Sequence, residues 1–191
     1  MRLYQAKVPQ IANEVIARLT KRGAIDVTPE NRPEAEQDLV AIMEEYLRRD
    51  RALREKVREY MHERSLPYDR YGRVRSRMAD RWGHPTKDDV ERFLARQFVE
   101  NFMISRFIEE VYAEDEAIYR EVIDILTAHH VDEQAIRDEA RAKIKNIKEG
   151  TVEYEIALNK AVREVKKRYG LIQERERDRG KGGRGQGGRS R

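Results

Sequence analysis

Residue types that support catalysis or metal binding occur in this chain, but their spacing assembles no site. Carboxylates stand in pairs such as Glu44-Glu45. A di-metal site in a helical bundle would need an inward-facing Glu-x-x-His motif on two helices. The sequence has that spacing once, from Glu59 to His62. Such carboxylates are more typical of solvated helix faces, where they pair with Lys or Arg four residues away.

The other candidates for catalysis fail in the same way. His129 and His130 are adjacent, so they cannot share one helix face, and no further metal ligands converge with them. The four serines lack a nucleophile elbow or an S-x-x-K motif. The absence of cysteine excludes disulfides and thiol catalysis. No glycine-rich phosphate loop follows a predicted strand. We therefore predict a protein that is not an enzyme and needs no cofactor.

A basic tail is one candidate for binding. Residues 179–191 contain no acid and no apolar residue, and their cations are Arg179, Lys181, Arg184, Arg189 and Arg191. Because the chain carries +4 and these residues +5, residues 1–178 carry −1. A segment with no apolar surface to bury is predicted to be disordered. Arginine dispersed in glycine favours contact with phosphates and unpaired bases, with a solubilising tail as the alternative.

A second basic region lies between Tyr68 and Lys87. Its predicted nucleic-acid-binding residues are Arg70, Arg73, Arg75, Arg77, Arg81 and Trp82. Basic side chains beside aromatic rings suit single-stranded nucleic acid, where bases stack and phosphates pair. The alternative is that Tyr71, Met78 and Trp82 anchor this segment on the bundle while its arginines bridge to acids.

The N-terminal third is predicted to be helical. A first helix is predicted to start near Pro9 and stop at Gly23, before a short extended piece at Ile25 and Val27. A long periodic segment follows from Pro33 to about Arg64. Its heptad seam consists of Leu39, Met43, Tyr46, Leu53, Val57 and Tyr60. Asp50 interrupts the seam, either by facing the core or by capping a new helix; we predict a helix break there.

The rest of the chain is predicted to form further helices. Residues 65–86 indicate a connector with at most a short helix around Val74–Arg81. A central helix carries apolar residues from Val90 to Val111 on most of its circumference, and another covers about Asp115–Leu126. A helical hairpin then spans residues 132–169.

The hairpin prediction rests on capping signals. Asp132 caps a helix bearing Ile136, Ala140, Ile144 and Ile147. A tight turn at Glu149–Thr151 precedes a facing stripe of Tyr154, Leu158, Ala161, Val165 and Tyr169. Two amphipathic helices joined by a short loop pack antiparallel.

These elements predict an all-α fold, an elongated multi-helix bundle. Its parts are an N-terminal helical half (1–64), a basic connector (65–86), a C-terminal helical half (87–172) and a disordered charged to Gly/Arg-rich tail (173–191). Residues 44–61 align without gaps to 109–126. The halves are therefore either pseudo-repeats or simply two amphipathic segments that look alike.

Five stretches in order resemble the bacterial domain-of-unknown-function 507 family. They are MRLYQAKVPQIANEVIARL, EEYLRRDR, LPYDRYGRVRSRMA, IEEVYAEDEAI and RAKIKNIKEGTVEYEIALNKAVREVKKRYGLI, and they span residues 1–172. The resemblance implies a helical bacterial protein and brings no activity, cofactor or site residue. The Gly/Arg tail lies beyond the family pattern.

Compartment and partner follow from the same features. The first residues show no signal peptide, and no apolar window is long enough to span a membrane, so we expect a cytoplasmic protein. We predict a non-enzymatic binding protein associated with RNA or the ribosome, or with another nucleic acid. The alternative is a protein-binding scaffold or homodimeric adaptor that uses the heptad seams. An enzyme would require a pocket with converging carboxylates or His62.

Overall fold

The computed structural model describes residues 1–86, 89–144 and 147–172. The elements within those ranges are α1 Val8–Lys21, β1 Ile25–Asp26, α2 Arg32–Glu63, α3 Tyr71–Trp82, α4 Asp89–Ile104, β2 Glu110–Val111, α5 Asp115–Ala128, α6 Glu133–Ala142 and α7 Val152–Arg168. The prediction of an all-α fold is confirmed, with one small antiparallel pair of two-residue strands added to it.

The main core lies where α1, the first half of α2, α4 and α5 meet. Ile11, Leu39, Phe98 and Val122 are fully buried there, one from each helix. Each helix places apolar residues three or four positions apart, so a single face of each can be buried. The prediction that α4 is a central helix is borne out, since six of its residues between Val90 and Phe102 are buried.

The predicted break at Asp50 is wrong, because α2 is continuous from Arg32 to Glu63. The other reading of the sequence is the right one: Asp50 faces inward, and its side chain is 14 % exposed. Two arginines bind its carboxylate, so the helix can continue through an acidic inward position. Beyond Asp50, α2 packs through Leu53, Val57 and Met61 in a second, smaller cluster.

The connector is more helical than predicted. After a short 3-10 turn at Tyr68–Arg70, α3 runs from Tyr71 to Trp82, longer than the expected Val74–Arg81 helix. Gly83 ends α3 in the left-handed conformation at φ +56°, which glycine adopts without a steric penalty. Ala79 is buried against α2 in the smaller cluster.

The predicted extent of the central helix is wrong at its C-terminal end. α4 stops at Ile104, and Phe107, Ile108 and Val111 lie beyond it. Val111 pairs with Ile25 in the short sheet. Residues 109–126 therefore contain a strand, a turn and part of α5, whereas residues 44–61 are one unbroken helical segment. The aligned segments do not share a secondary structure.

α6 and α7 form the predicted antiparallel hairpin. Lys166 near the end of α7 pairs with Glu133 at the start of α6, with 2.7 Å between Nζ and Oε2. The predicted caps are confirmed: Asp132 accepts from two backbone N–H groups of α6, and the Thr151 hydroxyl accepts from the N–H of Tyr154. A small cluster containing Ile136, Ala140, Ala161, Val165 and Leu171 lies between the helices, joined by Tyr4.

Two details of the hairpin were predicted wrongly. α6 ends at Ala142, so Ile144 and Ile147 lie outside it and the connection to α7 is longer than the expected tight turn. Tyr169 does not close the facing stripe, because its side chain is exposed and Leu171 is buried there instead. The predicted disordered tail, residues 173–191, lies outside the described residues.

Candidate nucleic-acid interface

α3 has two faces of different character. Tyr71, Val74 and Met78 are partly buried against the second half of α2. On the other side lie Arg73, Arg77 and Arg81, one helical turn apart, with Arg70 directly before the helix. We call these four residues the outer arginine stripe. From Arg70 to Arg81 the stripe is about 16 Å long at the rise of an α-helix.

The outer arginine stripe is unpaired within the part of the chain that the structure describes. All four side chains are exposed, and none forms an ion pair or a hydrogen bond with another described residue. The sequence left open that the arginines between Tyr68 and Lys87 pair with acids; among the predicted residues that the structure describes, Arg75 alone does so. Tyr71 and Met78 do anchor the segment, as that alternative supposed, but Trp82 is 41 % exposed.

Arg75 differs from its neighbours because it is turned towards α2. Its Nη2 lies 2.8 Å from Asp50 Oδ1, and Arg54 Nη2 lies 2.7 Å from Asp50 Oδ2. Arg49 ties the end of α3 to α2 as well, since it donates to the carbonyl of Trp82 at 3.1 Å. These bonds fix α3 along α2, and they leave the outer face of α3 free for a ligand.

One carboxylate thus holds two guanidinium groups. Burial by itself raises the pKa of Asp50, but nearby His84 and the two arginines outweigh that effect and hold this pKa well below its usual range. Asp50 is therefore ionised at neutral pH, and the cluster of Asp50, Arg54 and Arg75 keeps a net positive charge.

His84 and Tyr46 close the inner side of this cluster. Their rings are stacked with centroids 5.0 Å apart. Nε2 of His84 lies 3.5 Å from Asp50 Oδ1, too far for a strong hydrogen bond, and neither ring nitrogen has a hydrogen-bond partner among the described residues. Burial, followed by the charge of Asp50, raises the pKa of the Tyr46 hydroxyl, so that hydroxyl stays protonated at neutral pH.

A cleft of about 1170 Å³ opens beside this cluster, between the N-terminal segment, α2 and α3. A second hollow of about 1010 Å³ shares Arg2 and Tyr71 with it, so the two are neighbours. We call them together the arginine cleft. The arginines that line it are Arg2, Arg51, Arg54, Arg58, Arg75 and Arg137. Asp50 is the one carboxylate in the described lining.

Sequence reasoning missed the arginine cleft, although part of its signal was present. Arg51, Arg54 and Arg58 are spaced by three and four residues, which puts them on one face of a continuous helix. All three follow Asp50, so they share this face even with the predicted break, but three arginines on one helix do not by themselves outline a cleft. Arg2 and Arg137 reach the cleft only through tertiary packing, so no local pattern could have assigned them.

The predicted nucleic-acid-binding residues of the tail lie outside the described residues; they are Arg179, Lys181, Arg184, Arg189 and Arg191.

Residues 1–171 match the model of a family described as a protein of unknown function, DUF507. The chain belongs to the DUF507 family. No curated protein matches it. The arginine cleft and the outer arginine stripe lie inside the DUF507 match, whereas the basic tail lies beyond it. No helix in the described ranges is long and apolar enough to cross a lipid bilayer.

Proposed function

We propose that this DUF507 protein is a non-enzymatic binding protein for single-stranded nucleic acid, RNA in particular, and that the ribosome is one setting for it. The observation that carries the proposal is the outer arginine stripe. An exposed guanidinium without a protein partner is free to bind a phosphate, and four of them follow one helix face.

Aromatic rings at both ends of the stripe favour a single strand over a duplex. Tyr68 precedes the stripe and is 83 % exposed, and Trp82 follows it. Unpaired bases stack on such rings with little regard to sequence, while the arginines contact the backbone. We propose that the basic tail contributes five further cations, whose contacts with phosphates are also independent of sequence.

The salt dependence of binding tests the proposal. We suggest measuring the fluorescence anisotropy of a labelled single-stranded RNA of mixed sequence over a series of salt concentrations. Each phosphate contact contributes about −0.7 to the slope of log affinity against log salt. If all nine cations of stripe and tail contact phosphates, the slope is about −6. Replacing the four stripe arginines by alanine should flatten it by about 3, and removing residues 179–191 by about 3 to 4.

A matched control separates the stripe from net charge. Lys21, Arg96, Lys160 and Arg163 are exposed and have no ion pair or hydrogen bond with a described residue, but they lie on α1, α4 and α7. Replacing these four by alanine removes the same charge and should leave the slope nearly unchanged. Equal losses in both variants, or no binding by the intact protein at low salt, would contradict the proposal.

The second candidate is a protein-binding scaffold or a homodimer. The heptad seam predicted for α2 is not available for it, because Leu39, Met43 and Leu53 are buried inside the chain. The observation that favours it lies on α7, where Val152 and Ile156 are one turn apart and strongly exposed. Sedimentation equilibrium of the parent and of Ile156→Glu tests the homodimer: a parent dimer that the substitution dissociates supports it, and a monomeric parent rejects it.

A further inference from the structure

We propose that the arginine cleft is a binding site for a nucleoside phosphate, with arginines holding the phosphoryl group and tyrosines packing against the base. This site shares Tyr68 with the surface proposed above but has no arginine in common with the outer arginine stripe, so alanine variants of the stripe leave its phosphate-binding residues in place. The shared chemistry is one aromatic base with its phosphate, either as a free nucleotide or as the end of an RNA strand.

The charge of the lining selects an anion. Six arginines and His62 face one carboxylate, in a protein whose residues 1–178 carry a net charge of −1. Arg58 and Arg137 have no ion pair or hydrogen bond with a described residue. The surface is thus strongly basic at this place while the body as a whole is not, and such a concentration in a concave site raises the local concentration of anions.

Asp50 acts as a positioning residue in this site. It fixes Arg54 and Arg75 at 2.7 Å and 2.8 Å without neutralising both. A guanidinium group carries five N–H donors, so donors remain on each arginine after the carboxylate is bound. Two guanidinium groups held in place lose little further freedom when an anion arrives, which favours binding.

The tyrosines supply a surface for a flat ring. Tyr68 and Tyr71 are stacked on each other with centroids 5.7 Å apart, and both line the cleft. Tyr71 and Arg2 line both hollows. A base that packs on these rings therefore lies next to arginine, which is the pairing of stacking and phosphate contact that nucleotides require.

The size of the cleft accommodates such a ligand. Ligand sites in proteins typically occupy 300–1,000 Å³, and each of the two neighbouring hollows is at or above the upper end of that range. An acidic peptide also carries negative charge, but it has no flat ring for Tyr68 and Tyr71. The arrangement therefore favours a nucleoside phosphate over a peptide carboxylate.

Isothermal titration of the full chain with adenosine 5′-monophosphate tests the site, and adenosine, ribose 5-phosphate and a hexaglutamate peptide are the comparison ligands. The nucleotide should bind at least about tenfold more tightly than each of the other three, because only it uses both the arginines and the rings. Tighter or equal binding of hexaglutamate would overturn the proposal and assign the cleft to acidic peptides. No binding of the nucleotide would also overturn it.

Variants locate the binding in the cleft. Arg58→Ala should weaken adenosine 5′-monophosphate by about tenfold, and Arg163→Ala, an exposed and unpaired arginine of α7, should not. Tyr68→Ala should weaken the nucleotide but not ribose 5-phosphate. Neither Arg58 nor Tyr68 is buried, so these variants keep the fold. Equal loss in Arg58→Ala and Arg163→Ala would show binding by net charge and overturn the proposal.

Two further arms separate the sources and the two proposals. The first arm compares a tetranucleotide with a 5′-phosphate, the same tetranucleotide with a 5′-hydroxyl, and the mononucleotide. If the 5′-phosphorylated tetranucleotide binds most tightly, the ligand is a strand end. If it binds no more tightly than the mononucleotide, the ligand is a free nucleotide. The fourfold alanine variant of the outer arginine stripe should keep full affinity for adenosine 5′-monophosphate. Loss of mononucleotide binding in that variant would overturn the assignment to the cleft. If the parent protein binds RNA but not the mononucleotide, the cleft proposal is rejected and the proposed function stands.

Discussion

The two halves of α2 belong to one continuous helix but have different surroundings. Residues 32–47 place Ala35, Leu39 and Met43 in the main core. Residues 50–63 are covered by α3, through a cluster with Leu53, Val57 and Met61. The inward face of the first half is enclosed by other helices, and its outward face carries Glu34, Glu44 and Glu45, which do not attract an anion. The second half has one covering helix, so its remaining faces carry the arginines of the cleft. Under the two proposals above, stability and binding are thus divided along a single helix.

The largest expected effect is a loss of stability in the enclosed half. Leu39 is fully buried in the main core, where α1, α4 and α5 restrict how far the surroundings can collapse into a cavity. Leu39→Ala should lower the free energy of unfolding by about 3–5 kcal/mol, as expected of a poorly relaxing site. Urea denaturation followed by circular dichroism measures this change. A loss below 1 kcal/mol would show that this half is not the anchor of the fold.

The matched substitution in the other half should cost less. Leu53 is as completely buried as Leu39 and lies on the same helix, but its cluster contains few residues. Leu53→Ala should therefore cost about 2–3 kcal/mol, because α3 can shift towards α2 and fill part of the cavity. The same urea experiment compares the two variants. A cost for Leu53→Ala that equals or exceeds that of Leu39→Ala would remove the distinction between the halves.

Asp50 stands at the boundary between the halves. Asp50→Asn removes the charge that binds Arg54 and Arg75, and it should cost about 1.5 kcal/mol at pH 7, the lower end for hydrogen bonds to charged groups. The cost stays low because both arginines are partly exposed and can be hydrated. Glu45→Gln is a control on the exposed side of α2, where the ion pair with Arg48 contributes little. Equal costs would show that Asp50 has no special part in fixing α3.

The pH dependence of stability should report the same carboxylate. The pKa of Asp50 is lowered in the folded protein, so its contribution is complete above the unfolded pKa of about 3.9 and is lost as the pH falls towards the folded pKa. Between about pH 4 and pH 2 the parent should therefore lose more stability than Asp50→Asn does. Thermal unfolding over that range measures the difference. Parallel curves would contradict the lowered pKa.

The smallest effect on stability is expected at the outer arginine stripe. Replacing Arg70, Arg73, Arg77 and Arg81 by alanine removes no contact with a described residue, so the free energy of unfolding of the fourfold variant should stay within about 0.5 kcal/mol of the parent's. Urea denaturation of this variant should overlay on that of the parent. A large loss would show that these arginines support the fold rather than a ligand.

Local patterns were sufficient to predict much of the fold. α1 and α5 were predicted from apolar periodicity and turn residues, and the caps at Asp132 and Thr151 from short motifs. Such signals act within a few residues, so a sequence displays them directly. The all-α class follows from the same signals.

The errors concern features that depend on distant residues. Asp50 faces inward in a continuous helix, where Arg75, 25 positions later, binds its carboxylate beside the local Arg54. Val111 lies outside α4 and pairs with Ile25 in the short sheet. The arginine cleft needs Arg2 to approach α2 and α3. In each case the deciding contact joins segments far apart in the chain, which no local pattern encodes.

Mapping by nuclear magnetic resonance tests the division of α2 most directly. The full chain, labelled with ¹⁵N, would be titrated with a single-stranded RNA hexanucleotide at low salt, and backbone amide and arginine Nε signals would be followed. We predict that, between residues 1 and 172, the shifts concentrate in the segment before α1 and in residues 46–63 and 68–82, while α1, residues 32–45 of α2, α4 and α5 stay unchanged. Shifts concentrated in the enclosed half of α2 or on α4 and α5, or none outside the tail, would contradict it.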